Sequence, residues 1–374
     1  MDADDMTAVP TLKPTTTDEL VLAALRSKRA ILDVRAPSEF KRGSFPHAVN
    51  LPILTDEERR LVGITYKKDG HQAAVALGHQ LVCGETKLVR VAAWSEFVLA
   101  NPDALICCWR GGMRSALAAQ WLHEAGHDCE RVPGGFKAIR RAGLKLFDQI
   151  AEHSEWLIVG GLTGSGKTRV IQELDDAIDL ERAANHRGSS FGARNSPQPT
   201  QVSFENVLAV EFARRRDVKR SAPRFVVEDE GRTIGRLALP EVLVQKMRRS
   251  PLVVIRAPLE TRVTHIVADY IDAPLAEGST LDELHSRYRD ALRRLTRRLG
   301  DQRWRHIDRQ METAFSCNDH RPWIRSLLTD YYDATYSYQL AQKSDRVIFR
   351  GTADEVIAFV RSSRPNQEKT CDSG

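Results

Sequence analysis

Apolar residues along this chain recur in two ways, and the switches between them mark its elements. Short, almost wholly apolar runs stand at 30–32, 104–106, 156–159, 225–227 and 252–255. Each is flanked by charges, glycines or a proline and is too short for a buried helix, so each reads as a buried strand. Between them, apolar residues return every three or four positions. That spacing predicts helices over 17–26, 56–68, 72–81, 85–99, 116–125 and 136–152. A short helix is expected at 37–40, a loop at 43–52, and a strand at 129–132 running into the turn Pro133-Gly134-Gly135. From 281 to 340 the pattern is mostly helical, followed by a strand at 347–349 and a helix at 353–360. Strands alternating with helices predict an α/β protein whose parallel sheets are covered by helices.

The 374 residues suggest two or three domains. The pattern divides them into a flexible lead (1–15), a first α/β domain (16–140), a linker helix (141–154), a second α/β domain with a basic helical region (155–362) and a disordered tail (363–374). No apolar run approaches the ~20 residues of a membrane span, and the acidic start is unlike a signal or transit peptide. The six cysteines form no Cys-x-x-Cys or zinc spacing, so reduced thiols and a cytoplasmic location are expected.

The formal charge of +5 is mild, so any nucleic-acid signal has to be local. Residues 286–305 carry eight arginines against two aspartates, a local excess of six positive charges. Arg293, Arg294, Arg297, Arg298, Arg303 and Arg305 are candidate contacts to RNA phosphates, with Tyr288 and Trp304 placed to stack on bases. Arg214-Arg215-Arg216 with Lys219-Arg220 forms a second cluster.

Two loops carry chemistry. In Cys107-Cys108-Trp109-Arg110-Gly111-Gly112-Met113-Arg114-Ser115 a strand runs through a tight loop into a helix N-terminus. A cysteine there faces backbone N–H groups, a helix dipole, Arg110 and Arg114, all of which favour the thiolate nucleophile. Cys108 is the candidate nucleophile; Cys107 alternates to the other face and is expected to be structural. The second loop, Gly161 to Thr168, fits Gly-x4-Gly-Lys-Thr in full between a predicted strand and a predicted helix. Gly161, Gly164, Ser165 and Gly166 present N–H groups to phosphates, Lys167 adds charge, and Thr168 suits Mg²⁺. Glu228, Asp229 and Glu230, at a strand end, are candidates to assist Mg²⁺. No residue set is a certain metal site, and no tightly bound cofactor is expected. The motif leaves ATP, GTP or another diphosphate open as its ligand.

Asp33-Val34-Arg35, Glu39 and Gly43 to Pro52, with Cys108 heading its loop, resemble a rhodanese domain. That domain followed by a P-loop domain resembles the bacterial tRNA 2-selenouridine synthases. His186 to Gly192, Glu228 to Gly235 and the Tyr331 to Leu340 segment fit the same family over nearly the whole chain. The spacing departs from the usual rhodanese Cys-x4-Arg, since Cys108 to Arg114 is Cys-x5-Arg. The longer loop suits a tetrahedral oxyanion such as selenophosphate. The resemblance implies a rhodanese-like domain joined to a P-loop NTPase-like domain. It also implies a tRNA partner, bound through the anticodon stem-loop at wobble 2-thiouridine. Two steps follow from it: S-geranylation from geranyl diphosphate at the P-loop, then replacement of the geranylated sulfur by selenium from selenophosphate at Cys108. An enzyme that makes selenophosphate is an implied partner. Three other readings fit parts of the chain: an ATP-dependent tRNA sulfurtransferase using a Cys108 persulfide, a Cys-x5-Arg phosphatase fused to a kinase-like domain, and an RNA-binding module with a degenerate rhodanese.

Overall fold

The computed structural model describes residues 17–27, 29–215 and 223–363. The expected lead at 1–15, the tail from 364 with Cys371, and Arg216, Lys219 and Arg220 lie outside the described residues. The chain forms two compact units. One runs to Leu146 and also takes in residues 205–214; the other comprises Phe147–Phe204 and residues from Arg215 onward.

In the first unit, β1 (Ile31–Asp33), β2 (Ala48–Asn50), β3 (Leu105–Cys107) and β4 (Glu130–Arg131) form a sheet in the order β2-β1-β3-β4. Every pair is parallel. The central strands β1 and β3 are buried along their whole length, which is why their apolar runs are continuous. Leu32, Val34, Ile106, Trp94, Trp121 and Leu122 build the core beside them, with the two tryptophans stacked 6.2 Å apart. The helices expected over 56–68 and 72–81 form one run, Asp56–Leu81, broken at Gly70. Its φ of 85° is a left-handed conformation that glycine adopts without a Cβ penalty. Thr55 caps the start: its hydroxyl accepts the Glu58 N–H while Glu58 accepts the Thr55 N–H.

The residues that carry the early signature form a buried polar network. Arg35 is paired with Asp33 at 2.7 Å and donates to the Gly43 carbonyl at 2.9 Å. Asn50 donates to the carbonyls of Asp33 and Arg35 at 2.9 and 2.7 Å. These bonds tie the 35–50 loop to β1 and leave the buried charge of Arg35 compensated. The Arg35 guanidinium also lies 3.8 Å from the centroid of the Phe136 ring, a cation–π contact.

In the second unit, β5 (Glu155–Gly161), β6 (Ala177–Ile178), β7 (Arg224–Glu228), β10 (Leu252–Ile255) and β11 (Val347–Gly351) form a parallel sheet in the order β11-β10-β5-β7-β6. The hairpin β8 (Thr233–Ile234) and β9 (Leu237–Ala238) stands apart. After β5 the chain moves to one side of the sheet and then returns to the other. The carboxyl ends of β5, β7 and β10 therefore face a crevice, where open α/β sheets bind ligands. Helices from Leu259 to Ala341 form a separate layer around Phe191, Tyr288, Leu292, Ile307, Met311 and Trp323. Two π-helical turns, Ala268–Asp272 and Leu328–Tyr332, interrupt it. No helix among the described residues is long and apolar enough to cross a membrane.

Candidate functional site

The cysteine loop is held from behind by glycine-to-glycine packing. Phe136 N–H donates to the Cys108 carbonyl at 2.8 Å and Lys137 N–H to the Trp109 carbonyl at 3.1 Å. A Cβ on Gly135, whose φ is 59°, would lie 2.2 Å from the Cys108 carbonyl oxygen. The turn Pro133-Gly134-Gly135 is thus a buttress, a role its sequence alone does not reveal.

Cys108 sits at the base of this loop and is 3% exposed. Its Sγ lies 3.3 Å from Ser115 Oγ, which also bonds the Gly112 carbonyl at 3.2 Å. The hydroxyl has one proton, so it donates either to Gly112 or to a thiolate. Cys107 points away: burial, and then the nearby Asp33 charge, push its thiol well above the ordinary value. It is a structural residue in this geometry.

Arg114 is not the free charge the spacing predicts. It forms a two-pronged pair with Glu39, at 2.5 and 3.2 Å, and Arg59 approaches the same carboxylate at 3.3 Å. Burial pushes the Glu39 carboxyl up, but bonding and charge from Arg114, with the Ala36 N–H and Arg59, outweigh it and hold the group below the ordinary range. Burial likewise works against charge on Arg114, and Glu39 more than offsets it. Arg110 is exposed at the rim. The open pocket above Cys108 is about 830 Å³, and Arg42, Arg59, Arg60, Lys67 and Arg110 join Arg114 in its wall. Four of these cations come from the 37–68 segment and are not legible as site residues in the sequence. The pocket is built for an anion, with Glu39 restraining two of its arginines, Arg114 and Arg59.

In the second unit the Gly161 to Thr168 loop follows β5 and opens the helix Lys167–Gln172. Lys167 Nζ donates to the Gly161 carbonyl at 3.2 Å. The loop is clamped by the helix Leu259–Val267: Arg262 donates to the Thr163 carbonyl at 2.8 Å, and His265 Nδ1 lies 2.8 Å from the Gly164 carbonyl. Gly164 has a φ of 78°, and a Cβ there would lie 2.8 Å from the Arg262 carbonyl oxygen. Arg262 is itself paired with Asp333. The cavity over the loop is about 390 Å³ and is also lined by Glu181, Arg187, Ser189, Arg194, Glu230, Tyr270 and Tyr336.

Of the three acids at the end of β7, two turn toward this loop and one does not. Asp229 is bound by Lys343 at 2.7 Å on both oxygens, because strand alternation sends it to the opposite face. The expectation that it assists Mg²⁺ with its neighbours is corrected. Its place is taken by Glu181, which follows β6 and which no sequence motif marks. Carboxylate oxygens of Glu181, Glu228 and Glu230 lie within 4.8 Å of one another. Glu228 is 0% exposed; one oxygen accepts the Glu181 N–H at 2.8 Å and the other has no partner. Burial, then the neighbouring carboxylates, push Glu228 well above its ordinary value. Burial and the Glu230 charge push Glu181 up to about 8, against the pull of Lys167. Glu230 is raised mainly by burial, again against Lys167. The His186 to Gly192 loop packs on this cluster: a Cβ on Gly188 would lie 2.6 Å from Glu181 Oε1.

The arginine-rich helices, Leu281–Arg294, Thr296–Leu299 and Asp301–Cys317, expose Arg293, Arg294, Arg297, Arg298, Arg303 and Arg305. Arg293 and Arg305 pair with aspartates on their own helices, at 3.2 and 2.9 Å, and Arg298 donates to the Tyr331 hydroxyl at 3.0 Å. Such exposed pairs are weak and open readily to a polyanion. The aromatic part of the expectation is corrected. Tyr288 is 1% exposed and packs against Phe191 and Trp323, and Trp304 packs partly buried on the same core. Tyr288 lies on the helix stripe of Leu284, Ala291 and Leu292, so it faces inward.

Residues 17–142 match the rhodanese-like domain model, and residues 154–367 match the tRNA 2-selenouridine synthase AAA domain model. A tRNA 2-selenouridine synthase from Cupriavidus necator is 44% identical over 365 residues, covering 94% of this chain and 98% of that one. One from Sulfurovum is 41% identical, covering 89% and 95%. A third, from Pseudomonas paraeruginosa, is 44% identical, covering 88% and 93%.

Proposed function

The chain belongs to the tRNA 2-selenouridine synthase family, and from that membership we propose that it converts wobble 2-thiouridine in tRNA to 2-selenouridine by S-geranylation followed by selenium exchange. The observation that carries the reading is the coexistence of a cation-walled cysteine pocket and an intact diphosphate loop in one chain. In the first step the thiouridine sulfur attacks C1 of geranyl diphosphate and diphosphate leaves. The N–H groups of Gly161 to Thr168 and Lys167 stabilise the charge that develops on the leaving group. In the second step the cations around Cys108 hold the selenophosphate oxyanion and the Cys108 thiolate attacks its phosphorus, so that the selenium–phosphorus bond breaks, selenide leaves and the phosphoryl group is carried on the cysteine sulfur. Selenide then attacks C2, the carbon–sulfur bond breaks and geranyl thiol leaves, while water attacks the phosphocysteine and releases phosphate and the free thiol. The exposed arginines of 293–305 hold the tRNA backbone around the anticodon stem-loop. The cytoplasm, where tRNA and a selenophosphate-producing enzyme meet, is the proposed location.

The carboxylate cluster fits a divalent cation. Its donors are hard oxygens, and the buried Glu228 oxygen without a partner marks a position for one. Thr168, Glu181, Glu228 and Glu230 would hold Mg²⁺, which supplies charge neutralisation to a bound diphosphate.

The test uses the full chain with an anticodon stem-loop oligonucleotide bearing 2-thiouridine, followed by mass spectrometry. With geranyl diphosphate and selenophosphate the wild type is expected to yield 2-selenouridine. Cys108→Ala is expected to stop at S-geranyl-2-thiouridine, and Lys167→Ala at 2-thiouridine. Selenouridine formed by Cys108→Ala at the normal rate, or a requirement for ATP hydrolysis in place of geranyl diphosphate, would overturn the reading.

A further inference from the structure

The first unit contains a second hollow that the steps above do not use. It lies between the two limbs of the helix broken at Gly70 and the helix Met113–Glu124. Val62, Tyr66, Ala74, Val75, Leu117 and Trp121 give it an almost wholly apolar wall, and its volume is about 220 Å³. The hollow is open on one side, so its apolar wall is left to water until a ligand covers it.

Three observations say which. The hollow adjoins the Cys108 pocket: Leu54, Val62, Tyr66, Met113 and Arg114 line both. Tyr66 and Met113 are left 57% and 45% exposed where the two meet, and Ile64, on the Cys108 pocket side, is 49% exposed. Such a patch on a soluble unit marks a binding surface. The pocket beside it is cationic. Side by side, the two match a molecule with an anionic part and a short apolar tail.

We propose that this hollow receives the ten-carbon chain carried on the wobble sulfur, so that C2 of the S-geranylated base is held over the Cys108 pocket during selenium exchange. The assignment rests on the two-step reading above and adds to it a place where the intermediate is recognised. Size supports it. An apolar cavity of about 150 Å³ holds the six carbons of benzene, so by the same ratio 220 Å³ takes roughly nine. A ten-carbon chain fills it, a five-carbon chain leaves it about half empty, and a fifteen-carbon chain overflows.

The test is a chain-length series. Anticodon stem-loop oligonucleotides carry 2-thiouridine with methyl, dimethylallyl, geranyl or farnesyl on sulfur, and binding to the full chain is measured by fluorescence anisotropy. Affinity is expected to rise at least about tenfold from five to ten carbons, since each buried methylene favours binding, and not to rise further at fifteen. Val75→Phe, which places a ring in the hollow from a half-buried helix position, is expected to abolish the tenfold gain and leave methyl-oligonucleotide affinity within about twofold. Leu117→Phe, from the opposite wall, is expected to do the same and guards against misfolding of either variant. Equal affinity along the series, a continuing gain at fifteen carbons, or variants that weaken all oligonucleotides alike would overturn the assignment. The two readings fail separately. If the wild type prefers ten carbons but releases no geranyl thiol with selenophosphate, the selenium step is wrong and the hollow stands. If it releases the thiol with no chain-length preference, the hollow is wrong and the step stands.

Discussion

Replacing Glu181 with Gln removes one of three carboxyl groups crowded beside the P-loop, and the structure predicts that the protein gains stability from the loss. Burial and Glu230 raise the Glu181 carboxyl from its ordinary 4.5 to about 8. A carboxyl raised in the folded state contributes stability that is fully present below its ordinary pKa and is lost as pH climbs from there through about 8. Each tenfold change in proton affinity between the folded and unfolded chain corresponds to about 1.36 kcal/mol. Glu228 and Glu230 remain after the substitution, so we allow half of the full effect, or about 2 kcal/mol at pH above 8. For a unit of this size that corresponds to about 4–8 °C in Tm. The assay is thermal unfolding in EDTA at about pH 5 and about pH 8.5. Glu181→Gln is expected to lie close to the wild type at the lower pH and to exceed it at the higher. Added MgCl₂ is expected to raise the wild-type Tm at about pH 8.5 and to leave the variant nearly unmoved, because a ligand is gone. A variant less stable than the wild type at the higher pH, with no dependence on pH, would refute the reasoning. Glu181 would then be making a stabilising contact and not sharing a repulsive cluster.

Gly135→Ala should cost more than about 2 kcal/mol in urea denaturation and lower selenium exchange, because its Cβ meets the Cys108 carbonyl at 2.2 Å in a left-handed backbone. Glu39→Gln should flatten the acid limb of stability: the carboxyl is held below its ordinary value, so its contribution is present at neutral pH and lost as pH falls through the folded value. Circular dichroism between about pH 3 and pH 7 reads this, and a wild-type and variant difference that stays constant with pH would contradict it. Arg297→Ala with Arg303→Ala should weaken tRNA binding and reduce the slope of log affinity against log salt by about one to two. Tyr288→Ala should instead lower stability by about 3 kcal/mol or more through a core cavity, with tRNA affinity retained by the folded fraction; a specific loss of tRNA affinity at full stability would put the ring on the RNA.

Features that depend on neighbours along the chain are legible in the residues themselves. Gly-x4-Gly-Lys-Thr between a strand and a helix, the strand, loop and helix around Cys108, the parallel α/β class and the break near Gly70 are of this kind, because glycine φ freedom and apolar periodicity act over a few residues. The family resemblance is legible for the same reason, since its motifs are contiguous. Which charges meet is settled instead by how distant segments pack. Glu39, 75 residues from Arg114, neutralises the arginine that local spacing would aim at sulfur. Glu181 joins Glu228 and Glu230 because β6 and β7 lie side by side, while pleating hands Asp229 to Lys343. Tyr288 belongs to the core because its helix turns that face inward, and the apolar hollow beside Cys108 exists only where two helices leave a gap. Charge pairing and cavity shape depend on strand order and helix facing, which no short stretch of sequence encodes.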